Sequence, residues 1–378
     1  MTSVTINLHA LRHNYDVIRR WMIDHGAKWN IVTKVLCGYD PVIRALHMLG
    51  ARCFGDSRLE NMRTILNCLP DARNWYLRVP NLTKVDEVVK LTQVSLNSEI
   101  ETIEALDKAA KKANTKHQVV VMIELGDLRE GILPGGLIKF YEEIFKFSNI
   151  EVIGIGSNLG CLSGVVPSID QYMQLALYRE LLELKFKRKM QIISAGSSAG
   201  IPFILDGTMP KSINHFRIGE SLFLGTDLIN GGMLPTLRND VVKVSADVVE
   251  IRKKSLHPNG ETSAGLSPFN SDTESEYTPG QRGWRALVTM GQIDTDISGL
   301  TPVLDHHQVA GGSSDITVVN VGDEKHGLNV GGKIEFRPDY SAMVRLMNGK
   351  YVDKCISPSL EEFEACLKEE NELTAAQS

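Results

Sequence analysis

Residues 30–36 read NIVTKVL, an apolar run of strand length with a lysine set inside it. Lysine is almost never fully buried without a partner, so Lys34 demands a reason. Outward from this run the chain repeats one pattern, in which short apolar stretches are separated by helical periodicity. The stretches are ARCFG (51–55), WYLRV (75–79), QVSLN (93–97), QVVVMIEL (118–125), EVIGIGS (151–157), QIISAG (191–196) and INHFRIG (213–219). With the first they make eight candidate strands alternating with helices over about 200 residues, which predicts a (β/α)8 barrel. Catalytic groups of that architecture stand where strands end and loops begin, and Lys34 falls near the end of the first strand.

The intervening helices carry readable signals. DPVIRALHML is expected to start with Asp40 as N-cap and Pro41 at the first helical position. SEIETIEALDKAAKKAN is expected to start in a capping box between Ser98 and Glu101 and to end in lysines that suit the helix dipole. The basic run KFKRK (185–189) reads as another solvated helix end. Beyond about residue 230 the pattern changes to alternating β-branched segments, VVKVSADVVEIRK, RALVTMG, ITVVNVG and GKIEF, which predict a mainly antiparallel β domain. The expected division is a barrel over 1–228, a β domain over 229–357 and an acidic helical or disordered tail over 358–378. The N-terminal helix LHALRHNYDVIRRWM is expected to precede the barrel, with a crossing to the second domain open to it. LHPNGETSAGLSPFNSDTESEYTPGQRG (256–283) reads as a long surface loop.

Composition excludes several functional classes. The chain has 378 residues, 43% hydrophobic and 23% charged, with a formal net charge of −5. Its basic residues are scattered, so no nucleic-acid footprint is expected. No apolar run approaches the roughly 20 residues needed to span a bilayer, and no secretory signal pattern opens the chain. The six cysteines lack paired zinc spacing, and a reducing, cytoplasmic setting is expected. Adjacent histidines, His306 and His307, would point to opposite faces of a strand, so no metal site is expected there. The glycines of INGGMLP read as turns.

The chemistry is carried by the strand ends. A desolvated Lys34 would have a lowered pKa and a nucleophilic amine; a lysine that snorkels or pairs with a buried carboxylate is the competing reading. GSSA (196–199) follows the seventh strand and RIGE (217–220) the eighth, where barrels often hold a phosphate on small residues and backbone N–H groups. A lysine facing a phosphate site calls for a phosphorylated aldehyde, namely pyridoxal 5'-phosphate.

Several blocks carry a family resemblance. VTINLHALRHNYDVIR, TKVLCGY and HFRIGESLFLG resemble the opening segment, the cofactor lysine with its following tyrosine, and the late glycine block of the alanine racemase family, the fold-type III pyridoxal phosphate enzymes. Within it, GDLREGI (126–132), GSNLGC (156–161), INHFRIGESLFLG (213–225) and GGSSDI (311–316) are similar to blocks of the ornithine racemase branch. The resemblance implies that Lys34 is the Schiff-base lysine and one of two proton-transferring bases. It implies that Tyr39, Tyr340, Ser198 and the backbone N–H groups of Gly219 and Glu220 hold the phosphate. Arg217 would face the pyridine nitrogen, Asn158 stands where alanine racemases usually keep a supporting histidine, and Arg129 matches an arginine near the reacting centre. An always-charged guanidinium beside the ring nitrogen disfavours its protonation and so favours proton removal and return over decarboxylation. Related decarboxylases place a carboxylate there.

One departure stands out. The family takes its second base from a tyrosine of the partner subunit, and here Gln292 of GQIDTD (291–296) occupies that place. Asp294 and Asp315 are the leading substitutes, with Asp296 near the first of them; the resemblance matches Ser314 and Asp315 to a loop that reaches the partner's pocket, and Cys161 follows a strand end on the catalytic face. An acidic pocket would suit a diamino acid such as ornithine or lysine. The expected function is racemisation of such an amino acid by a head-to-tail homodimer, with no nucleic-acid or membrane partner. A lyase or decarboxylase of the same fold and a non-catalytic pyridoxal phosphate-binding protein are the alternatives.

Overall fold

The computed structural model describes residues 2–261, 278 and 280–377, so most of the 256–283 surface-loop expectation lies outside the described residues. The chain forms two compact units, one made of Arg12–Lys34 and Gly38–Leu237, the other of Met1–Leu11, Val35–Cys37 and Arg238–Ser378. It opens with strand β1 (Ser3–Asn7) and helix α1 (Leu8–His25).

The first unit is built on strands β2 (Lys28–Val32), β3 (Cys53–Asp56), β4 (Arg73–Tyr76), β5 (Val94–Asn97), β6 (His117–Met122), β7 (Ile150–Gly156), β8 (Ile192–Ser197) and β9 (His215–Ile218). They pair in parallel in sequence order, and β9 returns to pair with β2, closing the barrel. Helices α2 (Asp40–Met48), α3 (Leu59–Cys68), α4 (Val85–Leu91), α5 (Ile100–Lys112), α6 (Leu137–Ile144), α7 (Ile169–Phe186), α8 (Ile201–Leu205) and α9 (Glu220–Leu224) follow the strands in turn. Each strand is followed by one helix, so connections stay short and every parallel pair has its crossover. Trp75, Leu77, Val94, Leu96, Val120, Met122 and Ile153 pack as one buried cluster, with Val32 and Ile192 against it. At about 1.5–3 kcal/mol for each large side chain removed from water, this cluster is a main source of the barrel's stability.

The second unit is a mainly antiparallel sheet. Its strands are β10 (Val242–Ser255), β11 (Arg282–Val288), β12 (Leu300–Pro302), β13 (Gln308–Gly312), β14 (Thr317–Gly322), β15 (Lys333–Pro338) and β16 (Asp353–Ser357), with helices α10 (Tyr340–Asn348) and α11 (Leu360–Gln377). The order is β12-β15-β10-β11-β14-β13, and β1 adds between β10 and β16. Register places Val4 opposite Val244 and Ala286 opposite Val319, pairs of apolar side chains that are buried on one face. No helix among the described residues is long and apolar enough to cross a membrane.

The structure corrects the sequence reading at several places. Lys34 stands just past its strand, at the start of a single 3-10 turn (Lys34–Leu36). The reason is Thr33, whose amide and hydroxyl donate to Gly55 O (2.9 Å) and Asp56 Oδ2 (2.8 Å) and end the ladder there. Asp40 is the first residue of α2, Tyr39 being its N-cap, because the Asp40 carboxylate accepts from Arg44 instead of from the first-turn amides. Ser98 forms no capping box: α5 begins at Ile100 behind Glu99, which puts Glu101 one position too early in the helix to close the box. His306 and His307 lie in the turn before β13, not in a strand, so their rings meet at 4.6 Å between centroids instead of facing apart.

Candidate active site

The loops at the carboxyl ends of the barrel strands bring Lys34, Arg129 and Arg217 within electrostatic reach of one another. Burial pushes the Lys34 amine below the ordinary lysine range. The neighbouring Arg129 and Arg217 push the same way, while Cys161 and Asp56 oppose them. Asp56, itself fully buried, accepts from Thr33, the Ser57 and Arg58 amides and the Asn61 side chain, and so anchors the turn that presents Lys34.

Arg217 on β9 is only 8% exposed and is the most completely held side chain of the site. Its Nη1 donates to the carbonyl and the hydroxyl (2.6 Å) of Ser194 on β8, and its Nη2 to Ser157 O (2.9 Å) and Asn158 Oδ1 (2.8 Å) at the end of β7. Four of the five guanidinium N–H donors are thus used, and Nε–H is the one left without a protein partner among the described residues. Burial draws this group down to about 10, helped by Arg129 and opposed by Glu130, which still leaves it cationic at neutral pH. Behind it, Ser194 Oγ lies 2.9 Å from His215 Nδ1, and His215 Nε2 lies 3.2 Å from Asn30 Oδ1. Because the Asn30 oxygen can only accept, the proton of a neutral ring sits on Nε2, and Nδ1 accepts from the Ser194 hydroxyl.

The loop after β6, GDLREGI, is organised by three carboxylates. Glu124 accepts from the amides of Gly126, Leu128 and Arg129 and folds the loop onto its own start. Asp127, fully buried, accepts from the amides of Cys161, Leu162 and Ser163 and ties this loop to the one after β7. Glu130 pairs with Arg129 Nε (2.7 Å) and accepts from Asn158 Nδ2. Arg129 also donates to Cys161 Sγ at 2.8 Å. Gly131 must be glycine: its φ is +156°, and a Cβ there would stand 2.3 Å from the Glu124 amide nitrogen.

Ser198 and Gly219 meet where β8 and β9 end. Ser198 Oγ accepts from the Ser221 amide at 3.2 Å, and Gly219 caps the short helix that Glu220 begins. Gly219 abuts the end of β2, where a Cβ would lie 2.9 Å from Val32 O. That close approach brings the β9 loop beside the strand that delivers Lys34. Tyr39, also in the barrel unit, is the N-cap of α2.

The remaining sequence-predicted residues belong to the second unit. GQIDTD and GGSSDI lie side by side there, the Gln292 and Ile293 amides donating to Ser313 O (3.0 Å) and Ser314 O (2.8 Å). Asp294 accepts from the Gly291 amide at 3.1 Å, and exposed Asp315 accepts from the Ser313 and Ser314 hydroxyls. Asp296 caps a 3-10 turn and pairs with Arg345 at 3.4 Å, a structural use of that carboxylate. Tyr340 is the first residue of α10.

Sequence reasoning missed Asp56, Glu124, Asp127, Glu130, Ser194 and His215. The acids of GDLREGI stood inside a block already marked by its pattern, whereas nothing about a lone serine and histidine on two strands signals that they meet.

Comparisons with known proteins show the same fold and family. The family model described as "Alanine racemase, N-terminal domain" matches residues 6–227. The ornithine racemase of Acetoanaerobium sticklandii is 35% identical over 353 residues, 93% of this chain and 98% of that protein. The lysine racemase of Thermotoga maritima is 28% identical over 355 residues, covering 94% and 98%. Among solved structures, alanine racemase from Bartonella henselae with covalently bound pyridoxal phosphate superposes with a TM-score of 0.69 at 20% identity, covering 94% of this chain and 99% of that one.

Proposed function

The chain belongs to the alanine racemase family and is an amino-acid racemase; from that premise we propose that it works with pyridoxal 5'-phosphate on ornithine, lysine or a similar amino acid. The observation that carries the proposal is the pairing, in one barrel mouth, of a lysine whose amine burial keeps below its usual range with an arginine held at four of its five donors. The donor set suits that cofactor on its own chemistry. An amine available in neutral form can condense with an aldehyde, and a fixed cation can face a pyridine nitrogen, while a serine hydroxyl and a glycine-opened helix start suit a phosphate.

When bound, pyridoxal 5'-phosphate supplies the aldehyde that condenses with amines and a ring that draws electrons from Cα. Lys34 would hold the cofactor and serve as a base for one face of Cα. Arg217 would place its charge beside the ring nitrogen and disfavour a proton there, which would favour return of the Cα proton over other outcomes. Ser198, Gly219, Glu220, Tyr39 and Tyr340 are the proposed phosphate ligands, Asn158 supports Arg217, and Arg129 and Ser314 are the proposed substrate contacts. The base for the opposite face is Asp294 or Asp315, reached across a head-to-tail homodimer. The substrate assignment is supported by the two relatives named for ornithine and lysine and by the acidic residues of the second unit's loops.

The test is reconstitution with the cofactor, followed by Cα deuterium exchange and loss of optical rotation with L-ornithine, L-lysine and L-alanine. Ornithine and lysine should exchange faster than alanine, and Lys34→Ala should lose both exchange and the visible absorbance of the lysine-bound cofactor. Wild-type protein with no such absorbance, or release of carbon dioxide in place of racemisation, would overturn the proposal.

A further inference from the structure

Asn158 sits between two groups of opposite hydrogen-bonding character. Arg217 can only donate, so Asn158 Oδ1 must face it, as it does at 2.8 Å. A carboxylate can only accept, so the Nδ2 end must face Glu130, as it does. The amide orientation is therefore fixed by its partners. The other oxygen of Glu130 holds Arg129 Nε at 2.7 Å, with the Glu130 side chain 12% exposed. One carboxylate thus joins two guanidinium groups, one directly and the other through an amide.

We propose, on the basis of the racemase reading above, that Glu130 is a positioning residue, which through Asn158 sets the plane of the Arg217 guanidinium and directly sets the placement of Arg129. Glutamine is nearly the same size, yet it breaks this arrangement. Its oxygen can accept from Asn158 or from Arg129, and its NH2 then confronts the donor left over. Removing the charge also leaves two buried or half-buried guanidinium groups without the carboxylate between them. The orientation of Arg217 fixes where its remaining Nε–H points. Small misplacements of a group at a reacting centre reduce rate by up to about 100-fold.

Glu130→Gln, Asn158→Ala and the double variant should be compared as holoenzymes. The readouts are the absorbance spectrum of the bound cofactor, kcat and KM for racemisation, and thermal stability. Expected are a shifted cofactor band in both single variants, kcat lowered by about tenfold or more with KM within about threefold, and a double variant no worse than the stronger single, as for residues acting in one chain. If Glu130→Gln fails to fold, Asn158→Ala alone still reports whether the link governs spectrum and kcat. Unchanged spectrum and kcat in either folded variant, a loss of stability alone, or strictly multiplicative effects in the double variant would overturn the assignment of Glu130. Absence of a Lys34-dependent cofactor band in the wild type would instead refute the cofactor reading, so the two failures are distinguishable.

Discussion

Acid should destabilise the barrel through His215, which burial holds neutral in the folded state. The ring is fully buried, lies flat on Trp75 with centroids 4.3 Å apart, and is drawn from 6.5 to about 3 by burial and by Arg217, Arg73 and Lys28. A desolvated cation stacked on an indole gains on the order of 2 kcal/mol. Each factor of ten in proton affinity is worth about 1.4 kcal/mol, so the opposing terms amount to nearly 5 kcal/mol and win. The unfolded ring binds its proton below about pH 6.5 and the folded ring only below about pH 3. Between those values the unfolded state holds more protons, so stability rises with pH across the window and is lost as acid is added. By pH 5 the loss from His215 is about 2 kcal/mol. His117 on β6, drawn by burial to about 4, adds another loss of about 2 kcal/mol. Histidine-ring NMR should show His215 neutral, with its proton on Nε2, down to pH 4. Denaturant titrations at pH 7 and 5, at fixed protein concentration, should lose about 4 kcal/mol in the wild type and about half that in His215→Gln. A His215 ring titrating near pH 6, or an equal pH effect in the variant, would refute the reasoning.

Further outcomes follow from the two units taken singly. Asp294→Asn and Asp315→Asn should separate the candidate second bases. The variant that removes the base should stop racemisation yet retain Cα deuterium exchange with one enantiomer, and wild-type rates in both would dismiss both carboxylates. Gly131→Ala should lower thermal stability by about 1–3 kcal/mol or more, because the new methyl would overlap the Glu124 backbone and the residue would have to leave its φ of +156°. An unchanged melting temperature would show that the GDLREGI loop can relax without cost.

The barrel was legible because each of its strands is a short apolar run punctuated by helix periodicity, and because parallel strands need crossovers that announce themselves as helices. The eight runs from NIVTKVL to INHFRIG match β2 to β9 within a few residues at each end. Lys34 was conspicuous for an equally local reason, an amine among apolar neighbours. Where local signals competed, they misled: Asp40 and Ser98 have capping chemistry, but the Asp40 carboxylate takes Arg44 instead, and α5 starts behind Glu99. What tertiary structure alone decided is who partners whom. Ser194, His215 and Asn30 meet only because β9 closes back onto β2 and pairs with β8. Glu130 meets Asn158 only because Asp127 pins the β7 loop to the β6 loop. Periodicity and composition act within a few residues of the chain and so reveal elements; hydrogen-bond complementarity acts between residues about 20 to 190 positions apart and is expressed only once the barrel has closed.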